Sequence, residues 1–129
     1  MIDHIGIQVA DYDKAREFYT KALAPLGYKV MMEYTREEVP ELGSPKLGGL
    51  GAEHPDFWLS QGNPSTPQHL AFRAKSRAAV DAFYAAAIAA GAKDNGPPGV
   101  RAQYHPQYYG AFVIDIGGHN LEAVCHDPA

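Results

Sequence analysis

The sequence lacks the features that mark several large classes of protein. It has one cysteine, Cys125, among 129 residues, which excludes an internal disulfide and a zinc site built from several cysteines. No apolar stretch approaches the ~20 residues of a membrane-crossing helix. The first residues carry no basic segment followed by an apolar run, as a signal peptide would. We therefore expect a soluble, cytoplasmic protein with no membrane partner.

Positive charge is also scarce. Eleven Lys and Arg residues stand against fifteen Asp and Glu residues, for a net charge of −4. Binding to a phosphate backbone requires a basic surface, so we expect no nucleic-acid partner. The 46% hydrophobic content is enough to build a core, and the length suits one domain spanning residues 1–129.

The chain repeats a pattern at an offset of 65 positions, at which His4–Ile7 returns as His69–Phe72. Further positions match at the same offset: Asp11/Ser76, Ala15/Val80, Phe18/Phe83, Tyr19/Tyr84, Ala22/Ala87 and Leu23/Ile88. So many matches at one offset indicate two similar structural units. We place the first at residues 1–63 and the second at residues 64–129.

Each unit has the pattern of a strand, a helix and further strands. The first strands alternate apolar and polar residues. Asp11 and Ser76 are good helix N-caps, and the apolar residues that follow them share one helix face. Gly117-Gly118 predicts a two-residue hairpin turn between the last two strands. The sequence therefore predicts an α+β fold with the order βαβββ twice.

Two βαβββ modules that each open with a histidine resemble the vicinal-oxygen-chelate superfamily, which includes glyoxalase, bleomycin-resistance and extradiol-dioxygenase proteins. The most specific segments are residues 3–7 with the helix that follows, residues 68–72 and residues 118–122. The resemblance implies a concave mixed sheet with the helices outside. It also implies a divalent metal inside the cup, and a homodimer.

By position, the resemblance implies His4, His69 and Glu122 as metal ligands, with Glu122 also catalytic. Strand alternation agrees, because it sends these side chains to the face opposite the apolar residues. Two histidines and one carboxylate suit Fe, Mn, Zn or Ni. Glyoxalase I proteins use a fourth ligand at the position near Trp58, so the expected site has three ligands. An interpretation without metal, in which Arg73 partners Glu122, stays open.

Other residues are candidates for contact with a small-molecule substrate. Trp58, Arg73, Arg101 and Tyr108 are predicted to bind it, and Tyr104 or His105 to transfer protons. The loop that carries most of them could equally be a solvated loop. We expect Cys125 to be a buried, inert thiol, and His54, His119 and His126 to lie on the surface or in turns.

Two functions compete at this stage. The first is a metal-dependent lyase, isomerase or dioxygenase acting on a small oxygenated molecule. The second is a metal-free binding protein that sequesters an aromatic or cationic compound between Trp58 and the tyrosines. Metal analysis of the purified protein would discriminate between them.

Overall fold

A computed structural model describes residues 1–129 and has the α+β class that the sequence predicts. In the first half, strand β1 (Ile5–Val9) leads to helix α1 (Tyr12–Leu23) and a short 3-10 helix (Ala24–Leu26). Strands β2 (Lys29–Thr35), β3 (Lys46–Gly51) and β4 (Phe57–Gln61) follow. No helix is long and apolar enough to cross a membrane.

The second half repeats this order with one addition. Strand β5 (His69–Arg73) leads to helix α2 (Arg77–Ala89), and two short strands follow, β6 (Lys93–Asp94) and β7 (Gly99–Val100). Strands β8 (Tyr109–Ile114) and β9 (Asn120–Cys125) complete it. Strand β7 lies within the segment 95–106, which its proline and glycine content had assigned to a loop.

Both helices begin where the repeat predicts. The Asp11 carboxylate accepts a hydrogen bond from the amide of Lys14, and the Ser76 hydroxyl accepts one from the amide of Ala79. These side chains satisfy amides that have no partner within the first turn of a helix. Each half therefore passes from its first strand to its helix through the same kind of cap.

The strands form two separate sheets. One has the order β1-β4-β3-β2, and the other the order β5-β9-β8-β6 with β7 also paired to β8. In each sheet the first strand runs parallel to the last: Gly6 is in register with Trp58, and Ala71 with Glu122. This register places the residues of β9 beside those of β5, which is what positions the candidate site.

One core joins the two halves. Its 21 buried residues come from both helices and from strands of both sheets, and they include Phe57, Phe72 and Cys125. The rings of Phe57 and Phe72 meet edge to face at 5.5 Å between centroids. Cys125 is 1% exposed, which confirms the expected buried thiol.

The structure adds one detail to the predicted fold, which is the way in which the two units pack. Helices α1 and α2 contact each other. The two sheets share no hydrogen-bonded edge, and the strand faces that carry His4 and His69 are exposed. Strand alternation reveals which face is apolar, but it does not reveal which other layer covers that face.

The turn between β8 and β9 is also longer than predicted. It spans residues 115–119, and only Gly118 has a positive φ, at 92°. The Asp115 carboxylate accepts hydrogen bonds from the amides of Gly117 and His119 and thereby closes the turn. A side chain therefore builds this turn, and the two-residue hairpin prediction was wrong.

Candidate functional site

Two of the predicted ligands meet on the second sheet. His69 Nε2 lies 3.1 Å from Glu122 Oε1. Strand β9 carries Glu122 beside β5, and the Glu122 side chain is nearly enclosed whereas that of His69 is half exposed. A carboxylate in such a place needs polar partners, because burial of an uncompensated charge is costly.

The other nitrogen of the His69 ring is already bound. Nδ1 lies 3.0 Å from the carbonyl oxygen of Asn120, which can only accept a hydrogen bond. Nδ1 therefore carries the proton. In the neutral ring Nε2 is then a lone pair, and it faces a carboxylate oxygen.

Tyr108 supplies the second partner of Glu122. Its hydroxyl donates a hydrogen bond to Glu122 Oε2. Burial, and then this bond to the carboxylate, raise the pKa of Tyr108 above its usual value, so the hydroxyl stays protonated. Tyr108 therefore holds Glu122 in place as a hydrogen-bond donor.

The loop before Tyr108 contains three further candidates that the sequence predicts, which are Arg101, Tyr104 and His105. Tyr104 is 60% exposed and packs on Tyr108, with ring centroids 4.8 Å apart. His105 Nε2 lies 2.9 Å from His126 Nδ1. Arg101 donates to the carbonyl of Pro97 and has its guanidinium over the Phe112 ring. These three residues thus lie around Tyr108 and strand β8, and none of them bonds to Glu122.

His4 belongs to a different group, on the first sheet. Its Nδ1 lies 2.6 Å from Asp3 Oδ1, and its ring meets Trp58 at 6.4 Å between centroids. Trp58 lies against Gly49, its partner in register on β3. The first sheet therefore presents an imidazole and an indole on one exposed face.

One sequence prediction is corrected here. His4, His69 and Glu122 were expected to converge on one centre within the chain, but no three metal-binding side chains of a single chain do so. The reason is the layering described above, since His4 and His69 lie on different sheets that do not join. Their roles as ligands remain predictions.

Arg73 does not pair with Glu122, contrary to the metal-free interpretation. Tyr108 and His69 take that place, and Arg73 makes no ion pair or side-chain hydrogen bond. Arg73 is exposed and two residues beyond Ala71 on β5, on the same strand face as His69. It is a free cation beside the His69–Glu122 pair.

Sequence reasoning missed two histidine contacts. His119 lies in a turn, as expected, but it is only 2% exposed, and its Nδ1 accepts a hydrogen bond from the amide of Gln68. His126 holds His105, although it was expected to be an ordinary surface or turn residue. The available signal was the position of both histidines directly next to β9, whose Leu121, Ala123, Val124 and Cys125 are apolar.

The chain is similar to several solved structures along nearly its whole length. A glyoxalase/bleomycin resistance protein from Albidiferax ferrireducens T118 is 25% identical, with a TM-score of 0.75 and coverage of 97% of this chain and 98% of that one. A glyoxalase/bleomycin resistance protein/dioxygenase family enzyme from Burkholderia phytofirmans PsJN is 19% identical, with a TM-score of 0.71 and 98% coverage of each chain.

A third structure is a metal complex. It is a point mutant of the fosfomycin resistance protein FosX from Listeria monocytogenes, complexed with Mn(II) and a dihydroxypropylphosphonic acid. It is 17% identical, with a TM-score of 0.66 and coverage of 96% of this chain and 88% of that one. At this identity the likeness concerns the fold.

No curated protein is similar enough in sequence to match. The family model described as Glyoxalase/Bleomycin resistance protein/Dioxygenase superfamily matches residues 1–123, which include both helices and every strand except the end of β9. The chain belongs to the glyoxalase/bleomycin resistance protein/dioxygenase superfamily.

Proposed function

We propose that this protein is a divalent-metal-dependent enzyme of the lyase, isomerase or dioxygenase type, acting on a small oxygenated molecule. The observation that carries the proposal is the His69–Glu122 pair, in which Nε2 faces Oε1 at 3.1 Å while Nδ1 is committed to a backbone carbonyl. Two acceptors at that distance repel each other unless a cation neutralises the contact. A metal ion or a proton supplies that positive charge.

The donor set fits a metal ion. A histidine that binds a metal through one nitrogen typically donates its other N–H to a carbonyl or carboxylate, which fixes the ring and its tautomer. His69 has this arrangement with Asn120. Glu122 is held in turn by Tyr108. These hydrogen bonds from neighbouring residues would orient both ligands even without the ion.

We propose that His4 of a second copy completes the ligand set. In one chain the faces that bear His4 and His69 are both exposed and separate. A homodimer that covers these faces would bring the first sheet of one copy against the second sheet of the other. Two equivalent sites with two histidines and one carboxylate each would result.

The remaining residues bind and orient the substrate in this proposal. Trp58 gives one copy an aromatic wall, and Arg73 of the other offers a guanidinium that can bind an anionic group through two hydrogen bonds. Tyr104 and His105 border Tyr108 at the open side and are the proposed proton carriers. When bound, the ion would hold vicinal oxygens and stabilise negative charge that develops on the substrate.

Metal content, measured by mass spectrometry on protein purified without chelator, tests the proposal. We expect about one ion per chain in the wild type and a loss in His4→Ala, His69→Ala and Glu122→Ala. His54→Ala is the matched control, because His54 is an exposed histidine with no side-chain hydrogen bond. Wild-type protein that takes up none of Fe, Mn, Zn or Ni would contradict the enzyme hypothesis.

Mixing two variants tests whether the site is shared between copies. A dimer of one His4→Ala chain and one Glu122→Ala chain retains one complete site, so metal uptake should return in part after the variants are unfolded and refolded together. A site within one chain would give no recovery. If the wild type binds metal but the mixed variants show no recovery, the shared site would be rejected, whereas metal binding itself would still be supported.

A metal-free binding protein is the second candidate. The observation that favours it is the same contact, since a doubly protonated His69 would form an ion pair with Glu122 without any metal. In that case Trp58 of one copy, with Tyr104 and Tyr108 of the other, would bind an aromatic compound directly. Binding of such a compound by metal-free wild type, with unchanged affinity in His4→Ala, would support this function.

A further inference from the structure

One cavity of the chain lies away from the His69–Glu122 pair. Its volume is about 480 Å³, within the usual range for small-molecule sites. The end of β1 and the start of α1 form one wall, and the turn between β8 and β9 forms another. The cavity therefore lies at the junction of the two halves, and none of the proposed metal ligands lines it.

His119 is the most informative residue in this cavity. It is 2% exposed, and its Nδ1 accepts a hydrogen bond from the amide of Gln68 at 3.0 Å. Since an amide can only donate, the neutral ring carries its proton on Nε2. Nε2 has no hydrogen-bond partner in the chain, and this atom is not fully enclosed by protein. A nearly buried donor is thus left for an acceptor from outside.

The charges around His119 restrict what that acceptor can be. The Asp115 carboxylate lies in the cavity wall, and its oxygens already accept from the amides of Gly117 and His119 and from the hydroxyl of Tyr19. Asp11 and Lys14 also line the cavity, so its walls carry two carboxylates and one ammonium group, and an anionic ligand would be repelled. A cationic ammonium ligand has no lone pair with which to accept the hydrogen bond from Nε2. An uncharged acceptor fits best.

The rest of the lining suits an apolar body. Val9, Ala15, Pro64 and Ile116 contribute aliphatic surface, and most of the wall is apolar. Burial of apolar ligand surface would provide most of the affinity, and one hydrogen bond would fix its orientation.

We propose that this junction cavity is a second ligand site, which takes a small uncharged carbonyl compound with an apolar body. The carbonyl oxygen accepts the hydrogen bond from His119 Nε2. The body lies against the aliphatic residues of both halves. No covalent step is involved, and the site is independent of the metal.

Acetophenone is a suitable probe, since it joins one carbonyl acceptor to an aromatic ring. Titration into the wild type, followed by NMR, should shift the His119 Nε2 resonance and the amides of Lys14 and Gly117. Toluene, which lacks the acceptor, should bind about fivefold more weakly, the usual value of one hydrogen bond. Benzoate and benzylamine should also bind more weakly than acetophenone.

Two variants make the test specific. His119→Asn keeps an acceptor for the Gln68 amide and removes the Nε2 donor, so acetophenone should bind about fivefold more weakly while toluene is unaffected. Ala10→Phe changes an exposed residue of the cavity lining, so it should block both probes and leave the fold intact. Equal acetophenone affinity in His119→Asn, shifts confined to His69 and Glu122, or no shift at about 10 mM, a concentration suited to weak probes, would each overturn the proposal.

Discussion

The Trp58 ring lies directly against the backbone of Gly49, its partner in register on the neighbouring strand. A β-carbon at position 49 would come within 2.9 Å of the indole and of Pro55. Real β-carbons do not approach so closely, so the missing side chain is what lets the indole occupy this face. The aromatic wall beside His4 therefore depends on a glycine two strands away from the histidine.

Gly49→Ala should displace Trp58 and destabilise the protein. We expect a loss of about 1–3 kcal/mol, the usual cost of overpacking. Trp58 is the single tryptophan, so its fluorescence reports the displacement directly. Gly43→Ala is the control, because a β-carbon there meets nothing within 4 Å. Unchanged emission and stability in Gly49→Ala would contradict this account of the wall.

Tyr108→Phe should weaken the support of Glu122. The carboxylate is nearly enclosed and would lose one of its two partners, at a cost of about 1–3 kcal/mol in the free energy of unfolding. Urea unfolding at neutral pH measures it. Tyr104→Phe is the control, because Tyr104 is exposed and makes no side-chain hydrogen bond. Equal losses in the two variants would show that the Tyr108 hydroxyl does not support Glu122.

The same variant should change the alkaline behaviour. The pKa of Tyr108 is raised in the folded protein from a usual value of 10.0. A raised pKa contributes stability that is present below the unfolded value and is lost as the pH rises above it. Between about pH 9 and about pH 11, Tyr108→Phe should therefore lose less stability than the wild type. A steeper decrease in stability with rising pH in Tyr108→Phe than in the wild type would contradict the prediction.

A surface ion pair should control part of the acid stability. The Arg16 guanidinium bonds to Glu33 and, as the largest cause, lowers the pKa of that carboxyl below 4.5. A lowered pKa contributes stability that is present above the unfolded value and is lost as the pH falls through the folded value. Both side chains are about 40% exposed, so the contribution stays below about 1 kcal/mol.

Arg16→Met should accordingly reduce stability at about pH 7, and the difference from the wild type should be smaller at about pH 3, because Glu33 is progressively protonated as the pH falls. Urea unfolding at both values measures the change. Arg36→Met is the control, because Arg36 bonds to a backbone carbonyl and its effect should not depend on pH. If Arg16→Met lost more stability at about pH 3 than at about pH 7, the ion pair would not be the source of the acid stability.

His126→Ala should loosen the loop that carries Tyr104 and Tyr108. The Gln107 amide donates to His105 Nδ1, so His105 Nε2 carries the proton and donates to His126. Loss of that bond frees the loop from the end of β9. Hydrogen exchange at the amides of Tyr104 and Tyr108 should accelerate. His54→Ala is the control and should leave the exchange rates of these amides unchanged. Unchanged exchange rates in His126→Ala would show that the His105–His126 bond does not hold the loop.

Local sequence patterns are enough to define the helices and strands of each unit. Local signals were sufficient because N-caps and strand alternation depend on near neighbours, so the starts of both helices at Asp11 and Ser76 and the polar face of β9 with Glu122 were predicted correctly. The resemblance identified the first and last strands of the second unit as the carriers of His69 and Glu122, and the parallel pairing of these strands in the structure brings the two side chains together.

The arrangement of the two units depends on long-range packing, which local sequence patterns do not specify. The apolar stripes of α1 and α2 would satisfy several packings equally, and the structure selects the one in which the helices touch and the faces of His4 and His69 stay apart. The burial of His119 has the same origin, since its partner is the backbone amide of Gln68, 51 residues away in sequence. Contacts between distant residues depend on how whole layers pack, and no local pattern encodes that.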